Sequence, residues 1–283
     1  MRKLFFTTGI AAILIIVVIV SCQKSVNKSD SSTTDVSLTN DEKSLIKSAG
    51  FDETWAEKTT EGNYLIEGDI LLSKTQLTEM SGAAPTNNII VADEEHYRTF
   101  NIVSTPQSGT RTITVSLASG FPSYYSTALD NALARYNNLN MKIVFQRVTS
   151  GADIPIKAAN LGTSGGGCIL GQSQGFPSNN GNPAPGFTLS TSSCATTYLN
   201  TVDKVDEVMA HEIGHTIGFR HTDYKNRISC GGGGGEGAGS IGAVHIPGTP
   251  TNVKGNYDSW MMACTNGKAN LNADDVTALQ YVY

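Results

Sequence analysis

Residues 211–221 read HEIGHTIGFRH, and no other stretch restricts the fold of the chain as much. Two histidines four apart on a helix project from one face, one turn from each other, so His211 and His215 can reach a common point. Gly218 comes three residues later. Glycine can take a positive φ, end a helix and turn the chain sharply. His221 can then swing back as a third ligand to one metal ion. Three neutral imidazoles leave one tetrahedral corner for water, the pattern of a catalytic rather than a structural zinc site. Glu212 is placed beside the first histidine to reach a metal-bound water, which makes it the candidate general base. HExxH arises by chance in about one sequence in a few hundred, and HExxHxxGxxH in about one in a hundred thousand. His96 and His245 lie outside the pattern and read as loop or surface histidines.

The rest of the chain supplies a scaffold. Residues 39–50, TNDEKSLIKSAG, read as a short helix capped by Thr39 or Asn40 and stopped by Gly50. NYLIEGDILLS (63–73) is rich in strand formers. TITVSL (112–117) alternates as a strand does, and Tyr125, Leu129, Leu133 and Tyr136 recur at helical spacing over 122–139. KIVFQRV (142–148), DIPIKA (153–158), CILGQSQG (168–175) and FTLSTS (187–192) read as further strands. A helix follows with Asp203 as N-cap and Asp206 and Glu207 in its first turn, and a last helix spans 272–282 with Asn272 as its cap. The run GGGGGEGAGSIG (231–242) reads as unusually flexible.

Address comes from the first residues. Arg2 and Lys3 precede an apolar run from Leu4 to Val20, followed by Ser21 and Cys22. This resembles the lipobox of bacterial lipoproteins, which implies cleavage before Cys22 and lipidation of its thiol; an uncleaved anchor helix is the alternative. Either way the remainder lies outside the inner membrane. Gln23 is not the aspartate that signals inner-membrane retention, so an outer-membrane or cell-surface location in a bacterial envelope is expected. Residues 23–36, polar and Ser/Thr-rich, read as a tether. Past Cys22 four cysteines remain, Cys168, Cys194, Cys230 and Cys264. An even number in an exported chain suggests two disulfides, and three connectivities are open. Nearest-neighbour pairing, 168–194 and 230–264, is the expectation. Charged residues are 16% and the net charge is −5, which lacks the basic field a nucleic-acid partner needs.

HEIGHTIGFRH resembles the metzincin signature, and its HEIGH core is similar to the bacterial dual-action HEIGH metallopeptidases. Ser259-Trp260-Met261 resembles the Met-turn, in which Met261 would form an apolar floor beneath the metal. NLNADDVTALQYVY (270–283) looks like the final helix of matrixin-type domains, and GGGCILGQSQGFP (165–177) sits where they carry an edge strand. The resemblance implies an α+β catalytic domain over 111–283: a twisted mixed sheet, an active-site helix, a Met-turn and a C-terminal helix. It further implies one catalytic Zn²⁺ and protein or peptide substrates lying extended on the edge strand; the sequence does not give the oligomeric state, and a monomer is the expectation. Ala263 stands where some metzincins carry an extra tyrosine ligand, so that switch is absent. Matrixins often bind calcium, but no comparable ligand cluster stands out.

Residues 37–110 read as a small N-terminal region that can act as a prodomain. No cysteine lies between 23 and 167, which excludes a cysteine on the metal; Asp69 in EGDI is the candidate in its place. The competing reading of the whole chain is a catalytically silent metzincin-fold surface binder. An intact Glu212 counts against it, since a binder has no need of that base.

Overall fold

The computed structural model describes residues 37–82, 96–250, 258–265, 267 and 270–283. The leader, the tether and Cys22 lie outside the described residues.

Helix α1 (Asn40–Ala49) opens the described chain with a capping box: Glu42 N–H donates to Thr39 Oγ1, and Thr39 N–H donates to the Glu42 carboxylate. Gly50, at φ 96°, ends it. Strands β1 (Ala56–Lys58), β2 (Tyr64–Ile66) and β3 (Ile70–Leu72) form an antiparallel meander, and α2 (Lys74–Gly82) follows. The strand formers of 63–73 therefore make a hairpin rather than one run. Glu67 and Gly68 turn it by taking positive φ, 58° and 92°. Ile46, Phe51, Tyr64, Ile66, Ile70 and Leu77 form a buried cluster, joined by Phe176 and Ile241 from much later in the chain.

The next strand, β4 (Tyr97–Arg98), packs with the remainder of the chain. A parallel crossover then runs through β5 (Arg111–Leu117), α3 (Ser123–Asn137) and β6 (Ile143–Arg147), with Tyr125, Leu129, Leu133 and Tyr136 on the buried face of α3. After β7 (Ile154–Ala159) come a small hairpin of β8 (Thr163–Ser164) and β9 (Gly167–Cys168), then β10 (Gly171–Ser173) and β11 (Phe187–Ser190). Helices α4 (Ser193–Tyr198) and α5 (Val202–Ile217), strand β12 (Val244–His245) and α6 (Ala273–Val282) complete the order. Eight strands form one mixed sheet, β1-β2-β3-β10-β11-β7-β5-β6. The fold is thus α+β, with α3 and α5 packed on one another and tied by the Tyr136 hydroxyl, which donates to the carbonyl of Ala210 at 2.6 Å.

Four expectations change. The N-cap of α5 is Thr201, which has an extended backbone and whose hydroxyl accepts from Lys204 N–H; Asp203 already sits in the first turn. The stretch 168–175 contributes only short pieces, and β10 is no edge. β3 lies parallel on its open side, Ser173 N–H donating to Asp69 O at 2.7 Å, and β11 covers the other. His96 is no surface histidine: it is buried with Nε2 2.6 Å from Asp275 Oδ1. In the glycine run, 231–234 are exposed but 235–242 are packed against earlier chain. Gly239 lies so close to Gly50 that a Cβ on it would come within 2.0 Å of the Gly50 backbone, so glycine here permits contact between two backbones.

Residues 96–104, although upstream of 110, bond to later chain. β4 pairs with β12, Thr99 N–H donates to Gly218 O at 2.8 Å, and Val103 N–H donates to the Tyr283 hydroxyl at 3.1 Å.

Candidate metal centre

Helix α5 carries His211, Glu212 and His215 and ends at Gly218, at φ 109°. Beyond its conformational freedom, Gly218 is hemmed in: a Cβ there would lie 3.0 Å from Thr99 Oγ1. The chain then reverses. Arg220 N–H donates to Tyr97 O at 2.9 Å and Thr222 N–H to Met261 O at 2.7 Å, and these two bonds bring His221 back under the helix. The three imidazoles meet, with His215 Nε2 3.0 Å from His211 Nε2 and 3.2 Å from His221 Nε2.

Each ring is oriented from behind. His211 Nδ1 faces Trp260 O at 2.9 Å, His215 Nδ1 faces Phe219 O at 2.9 Å, and His221 Nδ1 faces Glu236 Oε1 at 2.7 Å. An acceptor at Nδ1 fixes the proton there and leaves the Nε2 lone pair for a metal. Glu236 is wholly buried and also pairs with Arg227. Its only signal in the sequence is that it is the one acid in the glycine run.

A fourth group completes the cluster. Asp69, at the hairpin turn, places Oδ2 2.8 Å from His221 Nε2, 3.3 Å from His211 Nε2 and 3.5 Å from His215 Nε2. In a tetrahedral zinc site with bonds of about 2.0–2.1 Å, neighbouring ligand atoms stand about 3.3 Å apart. The measured separations scatter around that value, and three imidazoles with one carboxylate are a donor set zinc accepts. The corner expected to stay open to water thus carries a carboxylate from the N-terminal hairpin. The turn is itself held: Glu67, in a left-handed conformation, pairs with the fully buried Arg220, and Arg227 donates to Glu67 O at 2.9 Å.

Charge follows position. Burial opposes the charge of Asp69, but His221, His215 and His211 outweigh it and hold its carboxyl well below the usual range. Burial pulls His215 down to about 4, which keeps that ring neutral. At His221 burial also favours the neutral ring, yet Asp69 and Glu236 raise it well above an ordinary histidine. Burial first, and then Asp69, push the Glu212 carboxyl well up. Glu212 is packed against Gly171, where a Cβ would come within 2.2 Å of Oε1, and its Oε2 has no hydrogen-bond partner.

Met261 is buried directly beneath the ligand helix, and Ser259 Oγ receives Met261 N–H at 3.2 Å. Trp260 N–H donates to Asp275 Oδ2 at 3.3 Å, the carboxylate that also faces His96. The disulfides are Cys168–Cys194 and Cys230–Cys264, and Cys168, Cys230 and Cys264 all line the cleft in front of His211. His245 stands away from the centre, with Nε2 3.0 Å from Thr249 Oγ1. Among the described residues the acidic and histidine side chains close enough to share an ion are Asp69, His211, His215 and His221, and the set Glu67, His221 and Glu236.

The sequence model of a family described as dual-action HEIGH metallo-peptidase matches residues 64–283. No curated protein matches the chain. Among solved structures, the chain is similar to myroilysin, at 18% identity over 64% of this chain and 97% of that one, with a TM-score of 0.36. It is similar also to high choriolytic enzyme 1, a hatching enzyme zinc-protease from Oryzias latipes (medaka fish), at 14% identity over 64% of this chain and 93% of that one, with a TM-score of 0.37.

Proposed function

Since the chain belongs to the dual-action HEIGH metallopeptidase family and is a metalloendopeptidase, we propose that His211, His215 and His221 hold its zinc, that Glu212 is its general base, and that the chain described here is its latent form. The observation that carries this reading is the convergence of three Nε2 atoms, each ring fixed at Nδ1, with one buried carboxylate beside them.

Zinc, when bound, supplies an acidified water and a positive charge next to the scissile carbonyl. Glu212 does the proton work. Buried one residue from His211 and packed against Gly171, it takes a proton from water as attack begins and gives it to the leaving amine. Met261 and the three acceptors at Nδ1 keep the rings from reorganising while charge moves.

Latency is read from Asp69 and β3. Asp69 sits where water would have to sit, and β3 lies on β10, where an extended substrate would pair. The Glu67–Arg220 pair latches the turn in place. The releasable part on this reading is 37–82, while residues from His96 onward belong with the enzyme. Export, cleavage before Cys22 and a lipid anchor at the cell surface complete the proposal, supported by the apolar run ending in Ser21-Cys22.

The test uses zinc-loaded full chain and casein, with and without a chelator. The parent should cleave slowly and Asp69→Ala much faster, with chelator stopping both. Adding Glu212→Ala to Asp69→Ala should cost about 10²–10⁴-fold in rate with zinc still bound one to one. A double variant as fast as Asp69→Ala would refute the role of Glu212.

A further inference from the structure

The cleft in front of His211 has a volume of about 840 Å³ and runs on past the metal ligands to a recess walled by Tyr198, Glu207, Val208, Met262 and Thr265. Glu207 is four residues before His211 on α5. It therefore shares that helix face and lies about 6 Å away along the axis, the distance of a substrate residue flanking the bond that is cut.

The Glu207 carboxylate is buried, and the partners shown for it are neutral. Tyr198 Oη–H donates to Oε2 at 2.9 Å, while Thr265 Oγ1–H and Gly267 N–H donate to Oε1, the latter at 2.9 Å. Tyr198 is pushed up to about 12 by burial, with Glu207 adding to the rise, so it stays a neutral donor. A carboxylate has about four lone-pair positions; three are used, and one on Oε2 is left. Among the described residues no lysine or arginine pairs with it. Lys204, one turn back, lies over the Tyr198 ring at 4.8 Å and donates to Asn200. Arg227, which also lines the cleft, is engaged by Glu236. A buried anion that no cation among the described residues faces is costly. Val208 and Met262 offer apolar walls to an aliphatic stem.

We infer that Glu207 selects substrates carrying a lysine or arginine side chain at a residue flanking the scissile bond. The inference rests on the peptidase reading above and names the substrate class of the same site. The bland role of Glu207, tying α5 to the loop at Thr265–Gly267, predicts no dependence on substrate charge.

The experiment uses zinc-loaded full chain with Asp69→Ala and paired peptides differing only by arginine or citrulline beside the cleaved bond. The arginine peptide should have a kcat/KM on the order of 10-fold or more above its partner. Adding Glu207→Gln should bring that ratio to about 1, an internal comparison that a general loss of stability would not move. Should the glutamine variant fail to fold, Glu207→Asp, which keeps the charge but withdraws it by one methylene, should lower the ratio several-fold while arginine stays preferred. A ratio near 1 before substitution, or one unchanged by Glu207→Gln or, where that fails to fold, by Glu207→Asp, overturns the inference. A binding arm separates it from the parent reading. Agmatine should bind the Asp69→Ala chain, measured by calorimetry, and lose affinity with Glu207→Gln. If no peptide is cleaved yet agmatine behaves so, peptidase activity fails and the cation recess stands; agmatine binding equally to both sinks the recess.

Discussion

Gly214 and Met261 are in contact so close that a Cβ on Gly214 would stand 2.4 Å from Met261 Sδ. The fourth residue of HEIGH is a glycine because the methionine floor lies against the helix backbone there. Intrinsic helix propensity argues the other way, since Gly→Ala in a helix interior gains about 1 kcal/mol. Overpacking a filled core costs about 1–3 kcal/mol, and at this separation sterics win. Gly214→Ala is expected to lower stability and weaken zinc binding together, measured by thermal unfolding and by competition with a chromogenic chelator. A variant more stable than the parent would show that Met261 moves freely.

Glu236 should govern His221 from behind. Glu236→Gln keeps a hydrogen-bond acceptor for His221 Nδ1 but loses the charge; Glu236→Ala loses both and leaves Arg227 without its buried partner. Zinc affinity is expected to fall about 10–100-fold in the alanine variant, and less in the glutamine variant. Equal affinity in all three chains would remove Glu236 from the site.

The boundary between releasable segment and enzyme can be probed by where the chain starts. A chain starting at His96 keeps the His96–Asp275 pair, β4 and the Val103–Tyr283 bond. One starting at Arg111 loses all three and leaves Asp275 buried without its histidine, a loss of several kcal/mol. Near-ultraviolet circular dichroism should show native packing in the first and little in the second. Indistinguishable spectra and melting temperatures would contradict this division.

Acid should loosen the N-terminal segment through Glu42. Lys58 foremost, and then the backbone of Thr39, lower its carboxyl from 4.5 to about 2. A folded value below the unfolded one means stability is fully present above pH 4.5 and is lost as pH falls toward 2. The pair is partly exposed, so the contribution is about 1 kcal/mol or less. Glu42→Gln should flatten that part of the melting-temperature profile; an unchanged slope would mean other carboxylates carry it.

What the sequence determined by itself is local. Four-residue spacing set His211 and His215 on one face, Gly218 ended the helix, and Thr39 and Asn272 capped theirs, because helix geometry and caps depend on residues a few positions apart. Apolar periodicity likewise marked the buried face of α3. Tertiary structure decided what distance in sequence hides. Asp69 could be named from the sequence only as an acid free to replace a cysteine, and the fold alone carries it to His211 across 142 residues; His96 reaches Asp275 across 179. Carboxylates and histidines carry no periodicity that announces a distant partner. Only the folding of β3 onto β10, and of the glycine run against α1, brought Asp69 and Glu236 to the imidazoles, closing from both sides a centre that the motif left half described.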